Sequence, residues 1–109
     1  MVNTFKLKTK ANVGVTTVGI YTAPAATTTV VIGITMANTS GSGVNVGVGI
    51  TRAGTTEDVK LLKNAPIPQG SSLEFMAGNK IVLEATDTVT VDSDTNNSVD
   101  AALTIMEIT

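Results

Sequence analysis

Side-chain oxygens that could bind a cation recur at every second residue late in the chain, at Asp92, Asp94 and Asn96. A calcium-binding loop presents its ligands with this alternation. The helix–loop–helix version of that motif is not met, because Asn97 replaces the turn glycine and Leu103 stands where the bidentate glutamate belongs. Further candidate ligands are Asp87 and Asp100. The alternative is a solvated turn whose side chains hydrogen-bond the local backbone. We therefore predict no metal site, and these three residues are the calcium candidates.

Catalytic chemistry has few residue types to draw on, because histidine, cysteine and tryptophan are all absent. Ser71 and Ser72 lie near Glu74, but a serine nucleophile needs an adjacent base to activate it. Carboxylate pairs for glycoside hydrolysis could be drawn from the acidic residues, yet sugar sites also use aromatic platforms and aromatics make up 3% of the chain. The sequence predicts no catalytic residues, no cofactor and no enzymatic activity.

Composition indicates one domain built around small apolar side chains. A chain of 109 residues is too short for two independent cores, and 42% hydrophobic residues suffice for one. A formal net charge of −2 with seven basic residues argues against a nucleic-acid partner. No segment has the length of apolar sequence that a membrane span needs, and the first ten residues lack the apolar run of a secretory signal.

Strict alternation of apolar and small or polar residues predicts β-strands along most of the chain. The clearest case is GVNVGVGITR, residues 43–52, in which three valines and Ile50 share one face. Turn signals recur about every 8–12 residues, and we expect the polar stretch at 38–43 to close a hairpin. A second connection, at 65–72, contains two prolines and is predicted to be irregular. The predicted core is Val30, Ile32, Ile34, Val46, Val48, Leu73, Ile81, Leu83, Val89, Leu103 and Ile105. Further turns are predicted at 53–55, 77–79 and 92–98.

These patterns predict an all-β fold: an antiparallel two-sheet β-sandwich of about eight strands with Greek-key or jelly-roll connections. Residues 1–12 are predicted to be an N-terminal arm or edge strand, and residues 13–109 a single β-sandwich domain.

Two features of the sequence suggest contact with other molecules. In the first strand, Phe5 alternates with Lys6, Lys8 and Lys10, and an extended arm of this kind can add a strand to a neighbour's open sheet edge. Within 43–52 the glycines leave room for another backbone to come close. The interface candidates in that segment are Gly47 and Gly49.

Five stretches of this chain are informative together: YTAPAATTTVVIG, MANTSGSGVNVGVGITR, LLKNAPIPQGSSLEF, GNKIVLEATDTVTV and SVDAALTIMEIT. They resemble a group of small virion structural proteins of tailed bacteriophages. With the MVNTFK start they cover about nine-tenths of the sequence. The most distinctive piece is NAPIPQGSSLEF followed by NKIVLEATD, in which a proline-framed turn leads to two short strands and an acidic turn.

The resemblance implies a β-sandwich module of a phage particle, made in the host cytoplasm and located in the virion. The expected function is that of a capsid decoration (cement) protein, which docks non-covalently on the major capsid lattice and stabilises it. The alternatives are a neck, tail or fibre component and a small host-surface or carbohydrate-binding module. The expected partners are the major capsid protein or other virion proteins, with the chain as a homo-oligomer or lattice member and with neither nucleic acid nor membrane.

Overall fold

The computed structural model describes residues 2–53, 57–75 and 80–109, and these residues form strands and connections without a helix. None of them could therefore cross a membrane as a helix. Chain order gives β1 (Asn3–Val13), β2 (Val18–Thr22), β3 (Thr28–Asn38), β4 (Val44–Thr51), β5 (Asp58–Ile67), β6 (Ser72–Phe75), β7 (Ile81–Leu83), β8 (Thr88–Ser93) and β9 (Val99–Ile108). The predicted turns at 53–55 and 77–79 fall mainly outside the described ranges.

The strands form two antiparallel sheets, as predicted. The β1 sheet has the order β1-β9-β3-β6, with β7 also paired to β3, and the β2 sheet has the order β2-β8-β4-β5. β6 and β7 pair with successive stretches of β3 and together act as one edge strand. Every connection crosses to the other sheet except β4–β5 and β6–β7. With β6 and β7 counted as one, this is the eight-stranded connectivity of a jelly roll.

The predicted hairpin at 38–43 is wrong, because β3 and β4 belong to different sheets. The amide of Asn38 donates to the carbonyl oxygens of Ser42 (2.8 Å) and Ile67 (3.0 Å). Its Oδ1 accepts from the backbone N–H and the hydroxyl of Ser40. This buried side chain therefore holds a loop that carries the chain from one sheet to the other.

The core lies between the sheets and consists of valine, isoleucine, leucine, methionine and alanine, with Tyr21 as its aromatic member among the described side chains. Most of the predicted core is confirmed, with Leu73 and Ile81 partly buried against it. The prediction for Val30 and Ile32 is wrong. A register shift between Val31 and Gly33 reverses the facing of β3, so Val31 is buried and Val30 is only half-buried.

The predicted irregular connection at 65–72 is also partly wrong, because β5 continues through Pro66 to Ile67. β5 is the last strand of the β2 sheet, and an edge strand tolerates proline because its N–H side has no ladder partner.

Candidate interaction surface

The outer faces of the two sheets differ in chemistry. On the β2 sheet, Thr88 lies opposite both Thr22 and Thr51, and the Oγ1 atoms of Thr22 and Thr88 are 2.9 Å apart. Thr90 and Asp92 follow along β8, alternating with buried valines. This face is hydroxyl-rich and suited to water.

The β1 sheet carries an apolar row on its outer face. Phe5, Met106, Val30 and Val82 are successive cross-strand partners on β1, β9, β3 and β7. The two ends of this row are open to solvent, with Phe5 69% and Val82 59% exposed, and the two middle residues are half-buried. Leu7, the next outward residue on β1, is 65% exposed.

Burial identifies this face as the outer one. The neighbours of the apolar row along β9 and β3, Ile105 and Val31, are buried between the sheets, so the row points the other way. Large apolar side chains that are exposed and contiguous mark contact surfaces on soluble proteins.

The lysines of β1 lie on the opposite side from Phe5. Lys6 and Lys8 pair with Ile105 and Leu103, and Lys10 pairs with Ala101, so all three share the inward side of the sheet. Lys6 and Lys10 are nevertheless exposed and Lys8 is half-buried, because the other sheet ends here in the five-residue strand β2. Among the described residues β1 pairs with β9 alone, so its other edge is open.

A buried polar network fastens this edge to the sandwich. Lys6 Nζ lies 2.8 Å from Glu107 Oε1, and the hydroxyl of Tyr21 donates to Glu107 Oε2 at 2.6 Å. The hydroxyls of Tyr21 and Thr29 are 2.8 Å apart, and Thr29 donates because the single tyrosine proton goes to the carboxylate. The network links β1 and β9 of one sheet to β2 of the other.

The network shifts two acid groups in opposite directions. The hydrogen bond from Lys6, followed by that from Tyr21, lowers the pKa of Glu107, since both favour the carboxylate. Burial, followed by the bond to Glu107, raises the pKa of Tyr21 to about 12. The folded state therefore holds a charged Glu107 against a neutral phenol.

A second buried carboxylate, Asp87, organises the connections at the same end of the sandwich, where its backbone oxygen accepts from the N–H of Ala23. Burial alone would raise the pKa of Asp87, but hydrogen bonds from the backbone N–H groups of Ala53 and Glu84, with nearby Arg52, lower it. Arg52 Nε lies 3.1 Å from Asp87 Oδ2, outside hydrogen-bond geometry, and the guanidinium also pairs with the exposed Glu84. These contacts join the β4–β5 and β7–β8 connections.

The glycines predicted as interface residues are covered by this chain itself. A Cβ at Gly47 would lie 2.6 Å from Asp92 Oδ1 and 3.2 Å from the carbonyl oxygen of Leu62. A Cβ at Gly49 would lie 3.0 Å from the carbonyl oxygen of Val59. Both glycines are buried, and the β4–β5 register shifts beside them. The close backbone that they accommodate is β5, so they present no open backbone to a second molecule.

The calcium candidates point to separate partners. Asp92 accepts from Thr17 Oγ1 at 3.0 Å, and Asp94 Oδ1 accepts from the backbone N–H of Asn45 at 3.1 Å. Asn96 Oδ1 lies 3.5 Å from the backbone nitrogen of Val15. Of the further candidates, Asp87 binds the backbone described above and Asp100 accepts from the N–H of Asn12. Across the described ranges, no three acidic groups lie together as a metal site requires.

The sequence names Phe5 as an interface candidate but does not name its partners in the apolar row. Val30 is predicted to lie in the core, and Met106 and Val82 have no predicted function. The row joins four strands that are far apart in the sequence, so only the pairing of the sheet reveals it.

Solved structures share this fold. A chain from Bacillus endospore appendages, described as disulfide-linked pili, matches with a TM-score of 0.57 at 17% identity, covering 99% of this chain and 87% of that chain. A chain of the acidic-stable capsid structure of Helicobacter pylori bacteriophage KHP30 matches with a TM-score of 0.57 at 11% identity, covering 98% and 87%.

A chain of the T13 IBDV viral particle matches with a TM-score of 0.59 at 15% identity. The match covers 96% of this chain but only 30% of that one. No family model matches the chain, and no curated protein does. At these identities the likeness establishes the shared fold.

Proposed function

We propose that this chain is a non-enzymatic structural component of a phage particle, and specifically a capsid decoration (cement) protein that docks non-covalently on the major capsid lattice. The observation that carries the proposal is the contrast between the two outer faces. The β1 sheet presents Phe5, Leu7 and Val82 to solvent, whereas the β2 sheet presents threonines. A protein lying on a particle needs one face for contact and one for water.

The fold and the sequence resemblance support the same location. The jelly roll matches nearly the whole of this chain to a chain in the KHP30 capsid structure. The five sequence stretches that resemble virion proteins of tailed phages include β3, β4 and β9, which build both sheets. The virion is the proposed location, with synthesis in the host cytoplasm.

The β1 edge supplies a second contact of different chemistry. Among the described residues, Lys8 and Lys10 form no ion pair within the chain. They stand beside an open strand edge, so an acidic segment of the major capsid protein could bind here. Lys6 is committed to Glu107. Charge reversal at Lys8 and Lys10 should weaken attachment to particles while leaving the core intact.

Copy number and particle strength test the proposal together. Mass spectrometry of purified particles should find the chain in hundreds of copies, and particles lacking it should assemble but burst at a lower temperature or a milder osmotic shock. A count in the tens, with full robustness and defective tails or adsorption, would replace decoration with the neck, tail or fibre alternative.

A second candidate function, a repeated subunit of a filamentous appendage, is favoured by the match to the Bacillus appendage chain and by the open β1 edge. Without cysteine, such a filament would have to be held non-covalently. Electron microscopy of the concentrated pure protein decides this, because ordered filaments would favour the appendage and discrete particles would exclude it.

A further inference from the structure

We infer that the outer face of the β1 sheet binds the same face of a second copy of this chain. The inference deepens the proposed function and rests on it for its biological setting, since it names the occupant of the apolar face within the assembly. The shape, the composition and the size of that face support this pairing.

The face has a ridge at one end and a trough at the other. The ridge is the apolar row, with Phe5 and Val82 at its exposed ends. Four residues away along β9, a groove of about 350 Å³ crosses the sheet. Small side chains form much of its lining, namely Thr9, Ala11, Thr35, Ala37 and Ala102.

A two-fold axis running across the strands would place each ridge in the other trough. The axis follows the row of partners Leu7, Thr104 and Gly33, which lies midway between ridge and trough. Rotation about it sets Met106 against Ala102 of the second copy and Phe5 against Thr9 of the second copy. Such an interface is isologous, with the same patch on both sides.

The row on the axis has room for this approach. Among the described residues, no atom lies within 4 Å of where a side chain would begin at Gly33. Thr104 is exposed, and its outward neighbour on the trough side of β9, Ala102, is small and half-buried. Two sheets packed face to face are separated by about 10 Å, which side chains of this size can fill.

The size of the face predicts a weak dimer. Four strands about 4.8 Å apart and eight residues long give a face of roughly 500 Å² per copy, or about 1,000 Å² in total. Specific interfaces begin near that total, so we expect a dissociation constant of about 10–100 µM. Docking on a particle would raise the local concentration and favour pairing.

Charge favours pairing of two copies through the outer face of the β1 sheet over pairing through the β1 edge. Two β1 strands paired edge to edge would bring the lysine rows together, and like charges opposite one another destabilise a sheet. Lys10 and Asp100 also line the trough, and Glu74 of the second copy, which pairs with Thr35, would come opposite Val82. Its position at the rim lets the carboxylate stay hydrated.

That juxtaposition gives a charge-specific test. In sedimentation velocity from about 1 µM to about 1 mM, the wild type should pass from monomer to dimer. Val82→Asp should raise the dissociation constant at least about tenfold by facing Glu74, whereas Val82→Lys should change it less than about threefold. Val15→Asp is the matched control, because Val15 is 56% exposed and lies off this face.

Cross-linking locates the axis independently. The chain has no cysteine, so Thr104→Cys introduces a single thiol on the axis and Thr51→Cys introduces one on the outer face of the β2 sheet. A direct disulfide is not expected at a sheet spacing of about 10 Å, so a short bismaleimide is used. Covalent dimer should form with Thr104→Cys and not with Thr51→Cys.

A wild type that stays monomeric throughout, or a dimer indifferent to both Val82 substitutions, overturns the inference. Attachment to purified particles is measured separately. A monomeric chain that still attaches to particles would refute the pairing and support the proposed function. A dimer that binds no particle would support the pairing and refute the proposed function.

Discussion

Replacement of Tyr21 by phenylalanine removes a hydroxyl that bridges the two sheets through a buried polar network. The substitution keeps the ring and its packing but deletes the hydroxyl that donates to Glu107 at 2.6 Å and accepts from Thr29 at 2.8 Å. Glu107 keeps its contact with Lys6, while the hydroxyl of Thr29, which is fully buried, loses its acceptor.

The expected cost follows from those two bonds. A hydrogen bond to a charged group contributes about 1.5–3 kcal/mol, and an unsatisfied buried hydroxyl adds to that loss. We expect Tyr21→Phe to lower the free energy of unfolding by about 2–3 kcal/mol, or the thermal midpoint by roughly 10 °C. Thr22→Val is the matched control, because it removes an exposed hydroxyl pair and should cost less than about 0.5 kcal/mol.

The pH dependence provides the second part of the assay. The pKa of Tyr21 rises from 10.0 to about 12 on folding, so the folded state keeps a proton that the unfolded state releases. The stability that the raised pKa of Tyr21 contributes is fully present below pH 10 and is lost between pH 10 and about 12. A shift of this size corresponds to at most about 3 kcal/mol, and we expect about half because solvent reaches this end of the sandwich.

Spectroscopy can measure that pKa directly, since Tyr21 is the single tyrosine and tryptophan is absent. The ultraviolet absorbance of tyrosinate in the folded protein should appear near pH 12, and the alkaline loss of stability should be smaller in Tyr21→Phe than in the wild type. Ionisation near pH 10 in the folded state, or a substitution cost below about 0.5 kcal/mol, would refute the reasoning.

Three further predictions concern stability. Because folding lowers the pKa of Glu107, the charged carboxylate stabilises the fold above about pH 4.5, and this stabilisation is lost as the pH falls. The midpoint of urea unfolding should therefore depend less on acid pH in Glu107→Gln than in the wild type. Gly47→Ala should cost about 1–3 kcal/mol by crowding Asp92, while Gly41→Ala, with open space around it, should cost far less by thermal melting. Thr86 has a φ of 68°, so Thr86→Gly should raise the thermal midpoint, with a gain of about 1 kcal/mol.

Local alternation was sufficient to predict most strands. In β4 and β9 the alternation of the sequence predicts that every second residue faces the core. The buried residues Val46, Val48, Leu103 and Ile105 follow that pattern. The density of such segments and the turn spacing between them also predicted the two-sheet antiparallel fold.

Bulges and connections could not be predicted in the same way. The extra residue in β3 reverses the facing between Val31 and Ile34, and nothing in a run of β-branched residues marks where the register shifts. The loop after Asn38 has the composition of a hairpin turn. It leads instead to the other sheet, because Asn38 bonds the carbonyl of Ile67 from a distant strand.

The glycines of β4 permit a close approach whose partner the sequence alone does not identify. Gly47 and Gly49 do permit close approach of another backbone, as predicted, but that backbone belongs to β5 of the same chain. The β4–β5 register shifts twice beside these glycines, bringing the carbonyls of Leu62 and Val59 toward them. Substitution there is therefore expected to impair folding before assembly.

The apolar row leaves hydrophobic side chains exposed to solvent in the isolated chain. Phe5, Met106, Val30 and Val82 form one line only because β9 inserts between β1 and β3 and because the β3 bulge turns Val30 outward. Had β3 kept its register, Val30 would face the core and the line would be broken. The fold thus brings to one surface apolar residues that are spread over a hundred residues of sequence. Each exposed methylene group there contributes to stability only when a partner covers it. An assembly that covers this face should accordingly melt higher than the free chain by an amount that grows with its concentration.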